Sequence, residues 1–116
     1  MFNIIDSMKT KNYIDPVVAS AENYKLLSQD GNIRVVEMTL KPGEIDEVHS
    51  HPFETVYFIR GGTIRILTNT EYSTETNIPD GHVMHHGPWE NEIENIGKTT
   101  IKAIIFEIIK QPVSEE

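Results

Sequence analysis

Cysteine is absent from the 116 residues. Disulfides and thiolate metal sites are therefore excluded. Long apolar runs are missing as well. The longest uninterrupted stretches, such as Ala103 to Phe106, fall far short of the ~20 residues that a spanning helix needs. Positive charge is scarce, ten Lys and Arg against eighteen Asp and Glu, for a net charge of −8. Phosphate backbones and anionic membrane surfaces are bound by clustered Lys and Arg, so the balance argues against nucleic acid and membrane as partners. The opening Met1-Phe2-Asn3-Ile4-Ile5-Asp6 lacks the basic-then-apolar layout of a signal peptide, and the expected location is the cytoplasm. No Gly-rich phosphate loop and no Gly-x-Ser-x-Gly elbow occurs, so nucleotide binding and serine hydrolysis gain no support. Helix-length amphipathic stretches are missing too.

What is present is a succession of about eight short runs of alternating or β-branched residues, separated by Gly, Pro or Asn turns. The length suits one domain with one modest core. Residues 1–14 have no clear period and read as an N-terminal arm, 15–110 as the domain and 111–116 as a polar tail. Asp15-Pro16 is a turn signal, and Ala19 to Glu22 reads as a short helical turn. Tyr24 to Ser28 and Ile33 to Leu40 form a hairpin around Gln29-Asp30-Gly31-Asn32, because Asp-Gly supplies the positive φ such turns require. Ser73 to Ile78 is polar and reads as an edge strand. Thr99 to Ile109 is the longest strand and is apolar on both faces. Such spacing predicts an all-β sandwich or barrel.

The chemistry concentrates between Pro42 and Gly62. His49 and His51 stand two apart, and in a strand such positions share a face, where two neutral imidazoles can hold one metal ion. Glu54 follows three residues later. A regular strand puts it on the opposite face, but Pro52 makes regularity doubtful, and one extra residue at Pro52 or Phe53 returns it to the histidine face. Val56 and Phe58 share the Glu54 face; Tyr57 and Ile59 lie on the other. Both faces are apolar, which predicts burial on both sides and a homodimer. Further on, Glu90 to Asn95 alternates, with the acidic residues outward and Asn91 and Ile93 inward.

Gly43, five residues, His49-x-His51, then Glu54, six residues and Gly61 resemble the first conserved motif of the cupins. Leu40-Lys41-Pro42-Gly43 and Glu94-Asn95-Ile96-Gly97 are similar to segments of small single-domain cupins, and the resemblance covers roughly 15–109. It implies an antiparallel β-barrel of the double-stranded β-helix, or jelly-roll, type with a divalent metal ion inside: Fe, Mn, Ni, Co or Zn. The second cupin motif usually supplies another histidine four residues before an asparagine. Counting back from Asn95 reaches Asn91, so this motif is degenerate. The candidate ligands are His49, His51 and Glu54, with one of His85, His86 or Asn91 completing the shell. His85, Trp89, Val56, Phe58 and Ile93 are the candidate lining of the pocket. Of His82, His85 and His86, two are expected to be ordinary surface residues. The expected function is a metal-binding cupin acting on a small organic molecule, with a dioxygenase-type reaction. The alternative is a non-catalytic module that binds or senses a small molecule.

Overall fold

The computed structural model describes residues 15–46, 49–68 and 73–108; residues 19, 49–51 and 89 among them are described by backbone alone. The arm expected at 1–14 and the tail at 111–116 lie outside the described residues. Among the described residues, helix α1 (Pro16–Ala19) comes first, and nine strands follow: β1 (Tyr24–Asp30), β2 (Ile33–Leu40), β3 (His49–His51), β4 (Phe53–Arg60), β5 (Gly62–Thr68), β6 (Ser73–Ile78), β7 (Val83–His86), β8 (Trp89–Asn95) and β9 (Ile101–Ile108). They form two antiparallel sheets, ordered β1-β2-β9-β4-β7 and β3-β8-β5-β6. The expected all-β jelly roll is borne out, with β6 at a sheet edge as anticipated. No helix among the described residues is long and apolar enough to cross a membrane.

Three local readings shift. The helical turn begins earlier than Ala19, because Pro16 occupies the first helical position and the Asp15 carboxylate accepts the Val17 N–H at 3.0 Å. Such a start costs proline nothing, since its missing N–H would be unsatisfied there anyway. The β1–β2 hairpin is tighter than anticipated. Asp30 pairs with Ile33, leaving a two-residue loop in which Gly31 takes φ +60°. The largest shift is at Pro52. It is neither a bulge nor an edge: it is the buried corner at which the chain leaves the four-stranded sheet and enters the five-stranded one. The question of whether Glu54 shares a face with the histidines of a single strand therefore does not arise. Glu54 enters the interior from the opposite sheet.

Alternation sets the core. Val36, Met38 and Leu40 of β2, Ile101, Ala103 and Ile105 of β9, and Val56 and Phe58 of β4 turn inward and meet Ile64 and Ile78. Many outward residues of the same strands are apolar too. Tyr57, Ile59, Phe106 and Ile108 are 43%, 46%, 42% and 50% exposed. Antiparallel sheets usually solvate their outer face with polar side chains, so this face departs from the ordinary pattern.

Candidate functional site

The pairing registers assemble one polar row across the inner face of the five-stranded sheet. Arg34 pairs with Glu107, Glu107 with Glu54, and Glu54 with His86. The next inner row, Val36, Ile105, Val56 and Met84, is apolar throughout. In the facing sheet the corresponding row is His49, Asn91 and Thr68, again by register. The two polar rows lie at the same end of the sandwich. Asn95, at the far end of β8, donates to the carbonyl oxygens of Leu40 and Thr99, both at 2.8 Å. That ties Asn95 to the Leu40 end of β2, so Asn91 falls at the Arg34 end.

Glu54 and Glu107 are 5% and 0% exposed. Such burial of carboxylates requires compensation, and Arg34 supplies part of it. Its Nε donates to Glu107 Oε1 at 3.0 Å, and its two terminal nitrogens donate to the Asp15 carboxylate at 3.0 and 2.9 Å. Deeper inside, the Tyr24 hydroxyl donates to Asp46 Oδ2 at 2.7 Å, and Ile93 N–H donates to Asp46 Oδ1 at 2.5 Å. Burial first, and then the Asp46 carboxylate, push the Tyr24 phenol well above its ordinary value of 10.0, with Glu54 and Glu107 adding to the effect. Tyr24 is thus a neutral hydrogen-bond donor at any physiological pH, set among three carboxylates.

Asn91 is 2% exposed, and neither its amide nitrogen nor its amide oxygen has a hydrogen-bond partner among the described residues. Leaving one buried polar atom unsatisfied costs about 1–3 kcal/mol. An amide with both atoms in that state marks a place where something polar belongs.

The sequence-nominated residues distribute as follows. Glu54 and Asn91 are buried at the polar end, and Val56, Phe58 and Ile93 pack in the core beneath it. His85 and His86 are exposed on the edge strand β7. The His85 ring sits 2.9 Å from Thr55 Oγ1, on the outer face; His86 Nδ1 sits 2.8 Å from the Gly87 carbonyl oxygen. Both border a surface cavity of about 370 Å³ together with Glu54 and Phe53. The side chains of His49, His51 and Trp89 lie outside the described residues; their backbones place His49 opposite Asn91 and His51 opposite Trp89. Among the described residues no three His, Asp or Glu side chains converge as a metal site.

Sequence reasoning missed Arg34, Glu107, Asp46, Tyr24 and Asp15. Parity carried a signal for two of them. Arg34 shares the inward positions of Val36, Met38 and Leu40, and Glu107 those of Ile101, Ala103 and Ile105. A charge on core parity is where a buried polar site should be sought.

Two antiparallel sheets closed around a polar end form a jelly roll, and the chain has the fold of the cupins. Solved structures bear this out. A cupin domain from Bordetella pertussis Tohama I is similar with TM-score 0.66 and 18% identity, over 73% of this chain and 90% of that one. An RmlC-like cupin with a double-stranded β-helix from Methanocaldococcus jannaschii gives 0.60 and 12%, over 74% and 78%. A protein described as a predicted oxalate decarboxylase, from Thermotoga maritima, gives 0.57 and 23%, over 75% and 79%. No family model and no curated protein matches the chain. At these identities the likeness concerns the fold.

Proposed function

We propose that this cupin binds a divalent metal ion at the polar end through His49, His51, Glu54 and Asn91, and acts there on a small organic molecule. The observation that carries the reading is the buried Asn91 amide without a partner, opposite His49 in register and in the row that faces Glu54. The donor set suits such an ion. Two neutral imidazoles, one carboxylate and an amide oxygen match the preferences of Fe, Mn, Ni, Co or Zn, and an amide is a weak enough donor to leave positions open. A metal would supply Lewis acidity toward a bound oxygen atom. The chain's own contribution is to exclude water with Val56, Phe58 and Ile93 and to keep Tyr24 protonated within the same interior. Oxidation by a dioxygenase-type reaction is the activity that two histidines and one carboxylate favour. The substitution of asparagine for the usual histidine favours a second reading, a non-catalytic small-molecule binder. Elemental analysis separates them. The expected result is about one metal ion per chain, lost in His49→Ala and bound at least tenfold more tightly in Asn91→His. Protein that stays metal-free after incubation with each of the five ions overturns the metal reading and leaves the binder.

The chain also pairs with a second copy through the outer face of the five-stranded sheet. Its rows run Ile33-Ile108-Phe53, Val35-Phe106-Thr55-His85 and Glu37-Ile104-Tyr57-Val83. Chains with a net charge of −8 repel one another, so a shared face must be locally neutral. Here the one acidic member of these rows, Glu37, is paired with Lys102 at 3.2 Å. A largely apolar sheet face suits sheet-on-sheet stacking at ~10 Å. Light scattering should give a dimer mass for the parent and a monomer mass for Tyr57→Lys or Phe106→Lys. A monomeric parent at micromolar concentration removes the proposal.

A further inference from the structure

We propose that Arg34 is a carboxylate-binding residue of the polar end, and that Asp15 occupies it as an internal stand-in which a small carboxylic acid displaces. The inference rests on the metal-site reading only for what the bound acid is used for; the anion site itself stands on three observations, of which only the last is shared with that reading.

The first is the geometry. Arg34 engages Asp15 fork to fork, through two nitrogens at 3.0 and 2.9 Å. That is how a guanidinium recognises a free carboxylate. The second is where Glu107 and Asp15, two partners of Arg34, come from. Glu107 belongs to the barrel: it lies opposite Arg34 in the register, and its side chain is 1% exposed. Asp15 does not. It precedes the first strand, caps the four-residue helix α1 and is 29% exposed, so it reaches Arg34 from the rim. Helix α1 packs against β1 and β3, which sets Asp15 beside the His49–His51 strand. The third is the Asn91 amide, buried and without a partner among the described residues at the same end. It marks a polar ligand position within the barrel independently of Arg34.

Charge makes the exchange even. Asp46, Glu54 and Glu107 already surround the interior, and a further carboxylate added to them would be repelled. A carboxylate that replaces Asp15 leaves the count unchanged. Asp15 then returns to water from a position already part exposed, at little desolvation cost. The stand-in also excludes neutral and cationic molecules from Arg34, because these offer nothing to offset its loss. The expected ligand class is accordingly a small mono- or dicarboxylate.

The test uses the full chain stripped of metal with EDTA, so that its outcome does not depend on the metal reading. Sodium acetate is the probe, acetamide its neutral counterpart, and sodium chloride holds the ionic strength constant. Asp15→Asn should bind acetate at least tenfold more tightly than the parent by calorimetric titration, since the tethered competitor is gone. Acetamide should bind neither. Adding Arg34→Gln with Glu107→Gln to the Asp15→Asn background should abolish the gain. If Asp15→Asn fails to fold, Asp15→Ser keeps a capping oxygen for Val17 and is read the same way. In the parent, saturating acetate should shift the Val17 amide resonance as Asp15 is released. Acetate binding no tighter in either Asp15 variant than in the parent overturns the proposal. So does binding undiminished without Arg34. Asp15 is then a structural latch only. Metal content measured on the same variants keeps the two readings apart: Asp15→Asn should retain whatever metal the parent holds.

Discussion

Replacing Arg34 with methionine should cost about 3–5 kcal/mol of stability, a large share of the roughly 5–15 kcal/mol that a domain of this size possesses. The reason lies less in what the ion pair gains than in what its loss leaves behind. Glu107 is 0% exposed and accepts from Arg34 Nε at 3.0 Å. Glu54, directly opposite it in the register, is 5% exposed. Methionine fills much of the arginine's volume, so cavity formation adds little. It offers no donor, and two neighbouring carboxylates then share a low-dielectric space with the guanidinium gone. Asp15 adds little to the cost, because at 29% exposure it can turn to solvent. The double variant Arg34→Met with Glu107→Leu should recover most of the loss, since apolar replacement of both members of a buried pair is often neutral. Urea titrations of the parent and the two variants provide the check. A single variant that loses less than about 1 kcal/mol would show that water or a local rearrangement already compensates the buried acids.

The same residues show where the sequence could be read and where it could not. Strand positions were legible because alternation is local: the inward set Glu54, Val56 and Phe58 and the inward set Asn91, Ile93 and Asn95 follow from a period of two. The fold followed from many such short elements. The site was legible only where one segment carried it. His49, His51 and Glu54 lie within six residues, yet their geometry was misjudged, because parity assumes an unbroken strand and Pro52 is a passage between sheets. Arg34 and Glu107 are 73 positions apart. No local pattern joins them, and each alone reads as a solvated charge in a strand. Asp15 was legible as part of a turn but not as a partner of Arg34, since that role needs the hairpin and the last strand to be in place. What escaped the sequence is thus what depends on register between distant strands.

Gly61→Ala should lower stability by at least about 3 kcal/mol, with a fall in Tm on the order of 10 °C. The cause is a backbone crossing. At Gly61 the chain leaves β4 for β5 and changes sheet; at residues 79–82 it leaves β6 for β7 and changes sheet in the other direction. The two passages lie against each other. Gly61 N–H donates to Asp80 Oδ1 at 2.7 Å, Gly81 N–H donates to the Phe58 carbonyl at 2.6 Å, and Phe58 N–H donates to the His82 carbonyl at 2.9 Å. A Cβ on residue 61 would stand 1.9 Å from the Ile78 carbonyl oxygen and 2.7 Å from its carbon. Both are backbone atoms held by the β5–β6 ladder, where Gly62 pairs with Ile78, so no side chain can swing aside to make room. Relief requires one passage to move away from the other and to release the three hydrogen bonds that clasp them. Gly31→Ala is the control. Gly31 takes φ +60°, but a Cβ there meets nothing within 4 Å, so its cost is the left-handed backbone alone, about 1–2 kcal/mol. Thermal unfolding of both variants decides the matter. Equal losses would mean that the junction yields easily, and a much larger loss at Gly61 would locate there the clasp that holds the two sheets in register.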